Sequence, residues 1–125
     1  EGSLKIFEKL SMQKIRKKSI QLSEMLIKLM QQECNDFNFK LFSPRSSKKR
    51  GSQVSYTHEK GFAIIQTLIY HGFVGDFRHP NILRFGISPL YMKYEDIWNL
   101  VINLKKIMKN KEWQKDQFNK RKNVT

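Results

Sequence analysis

Residues 75–91, GDFRHPNILRFGISPLY, hold two short apolar runs separated by His79-Pro80-Asn81, and the second run carries an arginine between Leu83 and Phe85. The segment Ile82-Leu83-Arg84-Phe85-Gly86-Ile87 alternates with the period of a β-strand. Leu83, Phe85 and Ile87 therefore face one way, while Arg84 shares the other side with Ile82 and Gly86. A guanidinium displayed from a stiff strand offers a planar fork of donors suited to a carboxylate or a phosphate. Gly86, without a side chain, leaves room for a ligand beside it. The commoner arrangement for such an arginine is an acidic partner or a solvated face, since charge on an edge strand guards against unwanted pairing.

Outward from this segment the chain divides into helices and strands. Toward the N-terminus, Gly72 is the expected left-handed end of a helix over His58–Tyr70, with Phe62, Ile65, Leu68 and Ile69 at helical spacing and Thr57 as its cap. A short strand over Phe73–Phe77 follows it. Before that helix, the alternating runs Phe37–Phe42 and Gly51–Thr57 form an antiparallel hairpin around the basic loop SPRSSKKR, residues 43–50. The N-terminal third is helical: Ile15, Ser19, Leu22, Leu26 and Leu29 mark one apolar stripe from about Met12 to Gln32. Ser11 is placed to break or re-cap that helix, which sets residues 1–11 apart as a linker whose apolar side, Leu4, Phe7 and Leu10, wants a partner elsewhere. After the arginine strand, Glu95–Met108 supplies a last helix. Residues 109–125, with isolated Trp113 and Phe118, read as a frayed, basic tail. The order αββαββα defines an α+β class, a small and mainly antiparallel sheet covered by helices, with residues 12–108 as the domain.

Composition narrows the classes. The 125 residues suffice for one hydrophobic core, and 24 Lys and Arg against 11 Asp and Glu give a formal charge of +13, a field attractive to anionic partners. The single cysteine, Cys34, excludes an internal disulfide and fits a reducing, cytoplasmic setting. No apolar run reaches the roughly 20 residues of a membrane span, and no signal-peptide pattern opens the chain.

Other candidate sites are weak. His58, His71 and His79 lack metal-ligand spacing. A triad of Ser52 or Ser55 with His58 and Asp76 has no nucleophile elbow, and Lys49-Arg50-Gly51-Ser52 is too short for a phosphate loop; its functional readings are an anion contact or a basic nuclear-targeting cluster, and the commoner one is a solvated hairpin tip. Trp113 or Phe118 in the basic tail would be the stacking residues of a nucleic-acid-binding module.

The runs Arg50–His58 (RGSQVSYTH), Gly75-Asp76-Phe77-Arg78 with Pro80, Ile82–Gly86 (ILRFG) and Pro89-Leu90-Tyr91 closely resemble the C-terminal part of kynureninases, and the opening helix resembles the one joining that family's two domains. The resemblance spans roughly Ser3–Met108. It implies the small domain of an aspartate-aminotransferase-type, pyridoxal-phosphate-dependent homodimer that hydrolyses kynurenine to anthranilate and alanine. It further implies that Arg84 binds the substrate's α-carboxylate, with Gly75–Arg78 and Arg50–Ser52 supporting that face. The family's Schiff-base lysine and cofactor contacts belong to a large domain with no counterpart here. The expectation is thus a domain with no catalytic, cofactor or metal residues of its own, inactive and cofactor-free alone, needing the large domain as partner. A basic nucleic-acid-binding module and a non-catalytic interaction domain are the alternatives.

Overall fold

The computed structural model describes residues 2–46 and 53–120, so Lys49–Ser52 and residues 121–125 lie outside the described residues. Helix α1 runs unbroken over Gly2–Glu33. Its sequence has no glycine or proline after Gly2. A single serine inside a run of Leu, Lys, Gln and Met costs only a few tenths of a kcal/mol. Ser11 therefore does not interrupt it, and the expected separation at residue 11 is not a helix boundary. The side chains of Leu4 and Phe7 are outside the described ones, whereas Ile6, Leu10, Met12 and Ile15 are exposed. Only from Leu22 onward does the stripe enter the core.

The expected strand over Phe37–Phe42 shrinks to β1, Lys40–Leu41. Asn35–Phe37 is instead a 3₁₀ turn, and Asn38 then adopts a left-handed conformation at φ 67°, which asparagine tolerates better than most residues. Strand β2, Gln53–Thr57, pairs antiparallel with β1 as the hairpin reading expects. Thr57 stays in the β2 ladder opposite Ile82 and Lys40, so it is unavailable as a cap. Helix α2 begins three residues after its expected start, spanning Gly61–Tyr70 without a side-chain cap.

Gly72 does end α2, at φ +90°. The Phe73 amide donates to the Leu68 carbonyl and the Gly72 amide to that of Ile69, at 3.0 and 2.9 Å, a Schellman arrangement. Phe73 is consumed by this ending, so β3 is Asp76–Arg78 rather than a strand starting at residue 73. A turn containing a cis His79–Pro80 bond leads to β4, Ile82–Gly86. Helix α3 spans Tyr94–Lys109, its first turn held by the Asp96 carboxylate, which accepts from the Lys93 amide at 2.7 Å.

The four strands form one antiparallel sheet in the order β1-β2-β4-β3. Val54, Tyr56, Leu83 and Phe85 project from the central strands β2 and β4 into the core, where Leu26 of α1, Ile64 of α2 and Leu104 of α3 meet them. The chain is thus an α+β domain with the order αββαββα, followed by a short helix α4, Asp116–Asn119. Residues 109–120, expected to fray, instead carry a 3₁₀ turn over Glu112–Gln114 and then α4, which packs on α2 with Phe118 3% exposed.

Candidate functional site

Arg84 lies in the middle of β4, where the ladder fixes its neighbours. Asp76 of β3 is directly opposite it on one side and Ser55 of β2 on the other. Burial alternates along β4 as the sequence pattern requires: Leu83 and Phe85 are buried, while Arg84 is half-buried on the opposite face with Ile82 and Gly86. Arg84 Nη2 donates to Asp76 Oδ2, a cross-strand ion pair in which the Arg84 side chain is 24% and the Asp76 side chain 55% exposed. Arg78 Nε stands 3.8 Å from the same carboxylate oxygen. The hydrogen bond from Arg84 holds the Asp76 carboxyl below the usual carboxylate range.

Two features of this face bear on ligand binding. Arg84 Nε is buried without a hydrogen-bond partner, so Asp76 is the guanidinium's polar anchor among the described residues. Gly86, two residues along on the same side, has no described heavy atom within 4 Å of where a Cβ would stand. Among the described residues, nothing fills the space beside Gly86.

The sequence reading put Asp76 in a supporting strand but did not pair it with Arg84. The signal was present: placing the turn at residues 79–81 sets Arg78 opposite Ile82, and counting back sets Asp76 opposite Arg84.

The remaining candidates do not converge. Ser55 and Asp76 flank Arg84 from two different strands, about 10 Å apart by strand spacing. His58 is engaged elsewhere: its Nε2 donates to the Phe37 carbonyl at 2.8 Å and its Nδ1 accepts from the Lys60 amide at 3.0 Å. His71 Nε2 contacts Glu112 at 2.8 Å, and His79 packs edge-on against Phe77. Phe118, offered for base stacking, has its ring buried against Tyr70. The Lys49–Ser52 cluster lies outside the described residues. Among the described residues, no helix is long and apolar enough to cross a membrane.

Fold and site together define a small α+β domain that presents one half-buried arginine beside an open glycine, on the sheet face opposite its core. A family model described as the kynureninase C-terminal domain matches residues 15–104. The chain is 41% identical over 125 residues to a kynureninase of Pseudomonas fluorescens and 38% identical to kynureninases of Burkholderia mallei and Burkholderia pseudomallei. Each alignment covers all of this chain and 30% of the relative. The chain therefore belongs to the kynureninase C-terminal domain family, and it spans about 30% of the length of the curated relatives it matches.

Proposed function

We propose that this domain supplies the substrate-carboxylate clamp of a kynureninase that hydrolyses kynurenine to anthranilate and alanine, with Arg84 as the clamp. The observation that carries the reading is a half-buried guanidinium on a central strand, bordered at Gly86 by a position with no described heavy atom within 4 Å. Arg84 binds the α-carboxylate and thereby aligns the amino acid's reacting bonds for the rest of the active site.

Pyridoxal phosphate, when bound, supplies the electron sink that such carbon–carbon cleavage needs. That chemistry needs a lysine amine to hold the cofactor, and the family resemblance gives no lysine of this chain in a matching position. We assign the cofactor to the large domain making up the rest of the relatives' length, the whole enzyme to a cytoplasmic homodimer, and no turnover to this chain alone.

The test is substitution in a full-length kynureninase carrying this domain. Arg84→Ala raises KM for kynurenine by ~10- to 100-fold, the worth of a hydrogen bond to a charged group, and Arg84→Lys is also impaired because one ammonium cannot reproduce the fork. Kinetic constants indifferent to both substitutions reject the assignment.

A further inference from the structure

We propose that Asp76 is a positioning residue for this site: it holds the Arg84 guanidinium in the orientation in which the arginine takes the substrate's carboxylate. The inference rests on the reading of Arg84 given above and adds a residue that acts through it.

An arginine side chain has considerable rotamer freedom, and a binding site that leaves it loose loses affinity in ordering it. Arg84 Nε is buried without a hydrogen-bond partner, so packing surrounds the stem while the polar contact that orients the terminal nitrogens is the one to Asp76. The arginine's cross-strand neighbour on the β2 side is the short Ser55, while on the β3 side it meets the Asp76 carboxylate. Because Asp76 and Arg84 are direct partners in the ladder, backbone register and not a flexible reach sets their contact.

Stability alone does not account for the pair. Asp76 is 55% exposed and Arg84 24% exposed, and an ion pair with one partner largely in water contributes only modestly to folding. Nor does the pair silence the arginine. Asp76 also faces Arg78 at 3.8 Å, so the three side chains carry a net charge of +1 and still attract an anion. Asp76 thus restricts the guanidinium without neutralising the site.

The experiment uses the full-length holoenzyme, with kynurenine as substrate and its decarboxylated analogue as a competitive inhibitor lacking the group Arg84 would grip. Asp76→Asn raises KM on the order of tenfold, the size of coupling expected between contacting residues. It leaves kcat within about threefold and does not move the analogue's inhibition constant, since that ligand does not use the clamp. Asp76→Glu keeps the charge but displaces it by one methylene, and gives a smaller rise in KM. In the Arg84→Ala background Asp76→Asn has no further effect.

An unchanged or lowered KM in Asp76→Asn overturns the inference, a lowered value meaning that Asp76 competes with the ligand. Equal weakening of substrate and analogue overturns it too, and so does wild-type behaviour of Asp76→Glu, the variant that decides if Asp76→Asn does not fold. If Arg84→Ala raises KM while Asp76→Asn does not, this inference alone fails; if Arg84→Ala is silent, the clamp reading fails with it.

Discussion

Tyr70 at the end of α2 and Phe118 of α4 meet edge to face, their ring centroids 5.5 Å apart. This contact and the His71–Glu112 pair beside it close the C-terminal segment over α2. Phe118 is almost wholly buried, so removing its ring leaves a cavity as well as losing transfer free energy. Phe118→Ala should destabilise the chain by about 3 kcal/mol, read as a lower denaturation midpoint in urea. A midpoint equal to wild type would mean that the segment is not held as the contact implies.

That contact also marks where sequence periodicity stops being informative. Trp113 and Phe118 are too few and too irregularly spaced to form a stripe, and their burial depends on α2, more than 40 residues away in sequence. The arginine strand was legible because alternation is a local property: Leu83 and Phe85 bury and Arg84 does not. The strand over Phe37–Phe42 misled for the opposite reason. Its alternation was real, but the left-handed Asn38 diverts the chain before pairing begins at Lys40. Thr57 looked like a cap because caps and strands both favour threonine, and only the pairing partner Ile82 decides between them.

His58 predicts a pH dependence of stability. The neutral ring uses both nitrogens, one donating to Phe37 and one accepting from Lys60. A protonated ring could not accept. Burial lowers its pKa from the ordinary 6.5, opposed by the hydrogen bond to the Phe37 carbonyl. With the folded pKa below the unfolded one, the unfolded chain binds the proton first as pH falls. The stability this histidine contributes is present above pH 6.5 and is lost as pH drops through 6.5 toward the folded pKa. Urea denaturation from pH 8 to pH 5 should show the decline, and His58→Gln should flatten it in that window.

Cys34 should be chemically silent in the folded chain. It is 1% exposed, its Sγ lies 4.0 Å from the Val101 carbonyl oxygen, and burial, with Glu33 nearby, pushes its thiol up to about 12. Thiolate is the reactive form, so an aromatic disulfide reagent at pH 8 should label the native chain only as fast as the core opens, and should label it at once in denaturant. Prompt labelling without denaturant would place the thiol outside the α1–α3 packing.

Gly86 separates what the fold needs from what a ligand needs. Its Cβ position is open and its φ is not in the left-handed range, so an added methyl meets no described atom and restricts only the unfolded chain. Gly86→Ala should therefore leave stability unchanged or raise it by about 0.5 kcal/mol. The same methyl would stand beside Arg84, on the side where the proposed carboxylate approaches. In the full-length enzyme KM for kynurenine should then rise severalfold while the denaturation midpoint holds. If instead KM holds and stability falls, the glycine serves the backbone, and the space beside Arg84 is not where the substrate lies.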